Sequence, residues 1–175
     1  MYSFLESSLN ARFPVYALRK EFDLAFVSII LAAFSIGAIT TQFPLGALGD
    51  KIGRRKVIVG GLISGGAFFF IGNLLEHSQM LVTVAFLTAG MCAGSMFSLG
   101  ITYMADLTPK QLLPTGNLLC GIFFSLGSLS GPFLGGLYLE AFPNNGFLVL
   151  VSIMLIVVAG VVLVFGKNNK IVAQQ

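Results

Sequence analysis

Six long apolar runs alternate with short polar interruptions along the chain: Met1 to Leu18, Leu24 to Leu45, Val57 to Leu75, Met80 to Met104, Leu118 to Leu139 and Phe147 to Phe165. Runs of this length read as membrane-crossing helices rather than strands, and the pattern predicts an all-α polytopic bundle of about six transmembrane helices. The first run is shortened. At roughly 1.5 Å per residue it covers about 27 Å against a hydrocarbon core of about 30 Å, and Glu6, Asn10 and Arg12 interrupt it. The bundle is expected over residues 1–166, with a cytoplasmic tail over 167–175.

Several runs carry small or polar residues that a lipid-facing helix does not need. The third contains Gly60, Gly61, Ser64, Gly65 and Gly66, and the fourth contains Gly90 and Gly94. Small residues three and four apart let helix backbones approach closely. Thr108 followed by Pro109 reads as an N-cap and first-turn pair opening a short helix. The sixth run is uniformly aliphatic, as expected of a helix facing lipid.

Composition narrows the class. Hydrophobic residues make up 56% of the chain and charged residues 10%, with mean hydropathy +0.92, more apolar surface than a soluble core hides. The basic residues gather in short loops and the tail without a basic face, which argues against a nucleic-acid partner. With the Gly46 turn cytoplasmic, Lys51, Arg54, Arg55, Lys56, Lys110, Lys167 and Lys170 fall inside and only Arg19 and Lys20 outside. That positive-inside bias predicts a multi-pass plasma-membrane protein with a cytoplasmic C-terminus. Cys92 and Cys120 lie within apolar runs and read as packing residues. Glu6 interrupts the first run and no basic region precedes it, so the start does not read as a signal peptide. No metal or cofactor is expected. An intramembrane enzyme is disfavoured because neither His-Glu-x-x-His nor Gly-x-Ser-x-Gly occurs.

The stretch Gly46-Ala47-Leu48-Gly49-Asp50-Lys51-Ile52-Gly53-Arg54-Arg55-Lys56 reads as a tight, hydrated turn between two spans. It resembles the short cytoplasmic loop of the major facilitator superfamily of secondary transporters, Gly-x-Leu-x-Asp-(Arg/Lys)-x-Gly-Arg-(Arg/Lys). The run Gly127-Ser128-Leu129-Ser130-Gly131-Pro132-Phe133-Leu134-Gly135-Gly136 is similar to the Gly-x-x-x-Gly-Pro-x-x-Gly-Gly signature of drug and proton antiporters in that family. The resemblance implies one six-helix half of an alternating-access transporter for a small organic solute or drug, with protons as the candidate coupled ion. The absence of a basic residue between Phe86 and Gly100 favours the C-terminal half; the glycine-proline signature is best known from the first.

For Gly46, Asp50, Gly53, Arg54, Arg55 and Asp106, the resemblance implies a conformational latch in which the arginines pair with Asp106, while Asp50 stands beside helix N-termini. The plainer reading is that these charges anchor topology. Gly127, Gly131, Pro132, Gly135 and Gly136 read either as a bend that helps the bundle rock or as a static kink. Glu6 and Asn10 lie four apart on one helical face, and an ionisable group at membrane depth is a candidate for binding solute or a proton. An interhelical hydrogen bond is the alternative. Arg12 points elsewhere and is expected to snorkel to the outer surface. His77, the single histidine, falls in an outer turn. The expected partners are the lipid bilayer, the solute, and a missing N-terminal half or a second copy. A truncated or non-transporting membrane interaction protein is the competing function.

Overall fold

A computed structural model describes residues 2–19, 22–75, 78–141 and 146–166. His77, the turn around residues 142–145 and the tail over 167–175, with Lys20, Lys167 and Lys170 of the topology argument, lie outside the described residues. The described residues form seven α-helices and no strand: α1 (Tyr2–Arg19), α2 (Leu24–Ile52), α3 (Arg54–Leu74), α4 (Gln79–Ala93), α5 (Met96–Leu107), α6 (Leu113–Ala141) and α7 (Phe147–Phe165). Among them five spans are long and apolar enough to cross a membrane: α2, α3, α4 continued through α5, α6 with the short 3-10 turn before it, and α7. The shorter, more polar α1 falls outside that set.

The expected runs and the helices differ at three places. The turn predicted over Gly46 to Lys56 is a single residue. The sequence from Gly46 to Ile52 is compatible with a helix, so α2 continues past the apolar run, and Gly53 alone breaks it at φ 98°, a left-handed value that glycine adopts without penalty. The fourth run is divided at Gly94 and Ser95. Thr108 does not open a helix. It caps the end of α5, its hydroxyl donating to the Met104 carbonyl at 2.8 Å, and α6 starts at Leu113 after the 3-10 turn Lys110–Leu112.

Within the bundle α2 packs along α4, α3 along α7 and α1 along α6, while α3 also crosses α4. The centre is aromatic. The rings of Phe13 and Phe86 lie 4.5 Å apart, Phe69 meets Phe86 edge-on at 5.4 Å, and Phe34 lies 6.1 Å from Phe69. One cluster therefore ties α1, α4, α3 and α2 with the offset and edge geometries that aromatic rings favour. At Gly90 a Cβ would collide with the Phe34 backbone, so α2 and α4 meet main chain to main chain, and Thr41 Oγ1 donates to the Met91 carbonyl at 2.7 Å.

The outer faces are uneven. α7 buries Leu148, Val151, Ser152 and Leu155 against the bundle, and Ser152 Oγ donates to the Gly66 carbonyl of α3 at 2.8 Å; only its other side carries exposed Ile153, Val157 and Val164. The helix expected to face lipid throughout is thus half embedded. In α6 only Gly131, Gly135 and Leu139 are buried, and large apolar side chains such as Leu129 and Phe133 stand exposed, as do Ile36, Ile39 and Phe43 of α2.

Candidate functional site

The charged cluster is built where α2 ends and α3 begins. Because Gly53 is the whole turn, Arg54 sits on the first residue of α3 one helical step from Asp50 in the last turn of α2. Arg54 Nη2 and Nε donate to Asp50 Oδ1 at 2.8 and 3.2 Å, and Nη1 reaches across to Asp106 Oδ1 at 2.6 Å and to the Thr102 carbonyl at 2.9 Å, both on α5. One guanidinium thus joins the ends of α2, α3 and α5 at one face of the bundle through charge-assisted bonds. The Arg54 side chain is 22% exposed and that of Asp106 39%, whereas that of Asp50 is 62% exposed. The Asp106 contact is the better shielded of the two ion pairs.

Two parts of the expected cluster, Arg55 and Gly46, stand elsewhere, and Asp50 stays in it in a different role. Asp50 does not cap α3: that helix has no side-chain cap bond, and the Asp50 carboxylate is occupied by Arg54. Arg55 turns away from the acids; its Nε and Nη2 donate to the Val162 and Leu163 carbonyls at 3.3 and 2.5 Å. Both carbonyls belong to the last turn of α7, at the negative end of the helix dipole, and that of Val162 also accepts the Gly166 N–H at 3.0 Å. Gly46 has open space around its Cα, while buried Gly49 lets the Arg54 stem pass, a Cβ there lying 3.2 Å from Arg54 Cγ and from Leu99.

The glycine-proline motif lies in one continuous helix, α6, and forms the groove in which α1 lies. A Cβ at Gly127 would strike the Ser3 hydroxyl; at Gly131 it would fall 2.7 Å from the Phe4 carbonyl and 2.8 Å from Ser8 Oγ; at Gly135 it would fall 3.3 Å from Arg12 Cγ. A Cβ at Gly136 would fall 2.7 Å from the Arg12 guanidinium. Ser7 and Ser128 hydroxyls share a 2.8 Å hydrogen bond across the same seam. Pro132 lacks an N–H, and its carbonyl accepts from Arg12 Nε at 2.7 Å. Arg12 therefore does not reach for the outer surface: it is held on α6, as is Arg19, whose Nη1 donates to the Leu139 carbonyl at 3.3 Å. The Ser3, Ser7 and Ser8 face of α1 was the sequence signal for this seam, since small residues on one helix tend to match glycines on another.

Glu6 and Asn10 come together on the opposite side of α1. They line a cavity of about 200 Å³ against α2, with Tyr2, Phe34 and Ser35 among its walls. Glu6 is half-buried and Asn10 exposed. A second cavity, of about 280 Å³ and almost wholly apolar, opens nearer the Arg55 end of the bundle between the start of α1 and α3, α5, α6 and α7, with Tyr2, Ile58, Phe97, Cys120 and Val162 in its walls. Among the described residues no three His, Cys, Asp or Glu side chains gather into a metal-holding group.

Comparison with known proteins agrees with this arrangement. The family model of the Major Facilitator Superfamily matches residues 1–173. The chain is 50% identical over 154 residues to the "Uncharacterized MFS-type transporter YfkF" of Bacillus subtilis, covering 88% of this chain and 39% of that protein. It is 28% identical over 153 residues to the "4-hydroxybenzoate transporter PcaK" of Pseudomonas putida, covering 85% of this chain and 34% of that one. With the "Uncharacterized MFS-type transporter YcaD" of Shigella flexneri it shares 23% identity over 145 residues, 83% and 37% of the two chains. The chain thus spans somewhat over a third of the length of these curated relatives.

Proposed function

The chain belongs to the major facilitator superfamily, and from that premise we propose that it supplies one six-helix half, the C-terminal one, of a plasma-membrane transporter moving a small organic solute by alternating access. The observation that carries the proposal is the Arg54 bridge to Asp106 at 2.6 Å and to Asp50 at 2.8 Å. It fastens the ends of three helices at one face of the bundle with contacts that water can replace, which suits a fastening that must open and close. The apolar outer faces of α2 and α6 support a partner bundle, or a second copy of the chain, covering them in the assembled transporter. The cavity holding Glu6 lies midway along α2, against the first half of α1, and a depth near the middle of a span is where a solute or coupled proton is handled from both sides. The solute named for PcaK, a one-ring carboxylate, supports the size class of a small organic solute and carries no argument about the charge of the solute taken by this chain. The basic residues of the Gly53 turn support a cytoplasmic position for the latch and for the C-terminus.

The test is a charge exchange in the intact transporter. Arg54→Asp together with Asp106→Arg keeps two carboxylates and one guanidinium in the cluster with their places exchanged. Cys120, in the wall of the apolar cavity, is the reporter after Cys92→Ala. Each single change is expected to raise maleimide labelling of Cys120 from the cytoplasmic side by roughly 5- to 30-fold, the effect of about 1–2 kcal/mol on a two-state equilibrium. The double exchange should return it toward the native rate. Labelling indifferent to all three variants would leave the charges as topology anchors.

A further inference from the structure

The cavity against α2 carries a chemical preference that rests on the transporter reading: we infer that the solute it receives is a small organic cation, a protonated amine on an apolar body, and not a carboxylate. Glu6 is the one charged side chain in its walls. Among the described residues Glu6 has no ion-pair or hydrogen-bond partner, so its carboxyl oxygens stay available to a ligand. The two arginines of α1 that would balance it are spent on the other side of the helix, Arg12 on the Pro132 carbonyl and Arg19 on the Leu139 carbonyl. The wall this chain supplies therefore holds one acid and no base.

The remaining polar groups fit an ammonium. Its three N–H donors need three acceptors. The Glu6 carboxylate, the Asn10 carboxamide oxygen and the Ser35 hydroxyl share the cavity, and Ser35 already spends its proton on the Leu31 carbonyl at 3.2 Å, leaving its lone pairs to accept. Tyr2 and Phe34 present ring surface, which attracts a cation and accepts an apolar body. At about 30 Å³ per water, 200 Å³ is the room of about seven waters, enough for a one-ring solute. A carboxylate entering the same space meets the like charge of Glu6 with no guanidinium or ammonium to receive it, an arrangement that rejects it.

The test uses the intact transporter in nanodiscs and two one-ring probes of opposite charge, phenethylamine and benzoate, followed by titration calorimetry at neutral pH. Phenethylammonium is expected to bind at least tenfold more tightly than benzoate. Glu6→Gln should weaken it at least tenfold, about 1.4 kcal/mol, and Glu6→Asp should hold it within a few-fold. Asn10→Asp, at an exposed position that tolerates change, adds a second carboxylate to the same wall and should tighten the amine at least threefold. Benzoate binding as tightly as the amine overturns the assignment. So does amine affinity unmoved by Glu6→Gln and Asn10→Asp, or no amine binding at all. Cys120 labelling on the same samples separates the two levels. If the amine fails but labelling still responds to Asp106→Asn, only the solute class is wrong; if labelling is unmoved as well, the transporter reading fails with it.

Discussion

Gly131→Ala and Gly121→Ala are the same chemical change in the same helix, and the packing predicts opposite signs for them. In a helix interior alanine is favoured over glycine by about 1 kcal/mol, because glycine loses more backbone freedom on folding. At Gly121 nothing stands within 4 Å of the added Cβ, so that gain should be realised. At Gly131 the Cβ falls 2.7 Å from the Phe4 carbonyl oxygen and 2.8 Å from Ser8 Oγ, whereas ordinary contact begins at 3.4 Å. The serine can rotate, but the carbonyl is main chain, and α1 has to back away by several tenths of an ångström. Such overpacking costs about 1–3 kcal/mol, leaving a net loss of up to about 2 kcal/mol after the propensity gain. For a chain of this size 1 kcal/mol moves Tm by about 2–4 °C. Thermal unfolding of the detergent-purified protein by far-ultraviolet circular dichroism should therefore put Gly121→Ala above the native protein and Gly131→Ala about 2–12 °C below Gly121→Ala. A Gly131→Ala protein as stable as Gly121→Ala would refute the close α1–α6 seam. Phe4 and Ser8 flank Glu6, so the same displacement moves one wall of the cavity.

Two further perturbations separate contacts that the sequence runs together. Arg55→Ala removes donors from the Val162 and Leu163 carbonyls but leaves the acid cluster intact, so hydrogen exchange should accelerate several-fold in the last turn of α7 with Cys120 labelling unchanged; a labelling change as large as that of the Arg54 variants would place Arg55 in the latch. Ser152→Ala deletes the buried bond to the Gly66 carbonyl. It should lower stability in a mild unfolding titration by about 0.6–1.7 kcal/mol, and no loss would mean that the α3–α7 contact rests on apolar packing alone.

Much of this arrangement was legible in the chain, for identifiable reasons. The run Phe147 to Phe165 coincides with α7 because Gly146 and Gly166 bound it and nothing within it is polar enough to extend or break it. Glu6 and Asn10 share a cavity because their spacing of four puts them on one face. The approach of Arg54 to Asp106 could be anticipated because alternating spans return both to the same side. Hydropathy gave no sign of the break at Gly94 and Ser95, since the run stays apolar through it. Nor did it reveal that α2 continues to Ile52, because a helix leaving the membrane becomes polar without ending. Arg54 and Arg55 look equivalent as neighbours, yet adjacent helical residues point about 100° apart, which sends one to α5 and the other to α7. The destination of Arg12 depends on the groove that Gly135 and Gly136 open on α6, a tertiary fact that its own neighbours do not carry.

The most direct measurement of the central claim is two-sided thiol accessibility in the intact transporter. Ser35→Cys reports on the cavity beside Glu6 and native Cys120 on the apolar cavity near the latch; the two are labelled in separate proteins, from the outer and the cytoplasmic side respectively, with and without Asp106→Asn. A bundle that rocks between two access states predicts reciprocal change: Cys120 labelling rises from the cytoplasm while Ser35→Cys labelling falls from outside. Rates that rise together, or neither moving, would contradict alternating access governed by the Arg54 bridge.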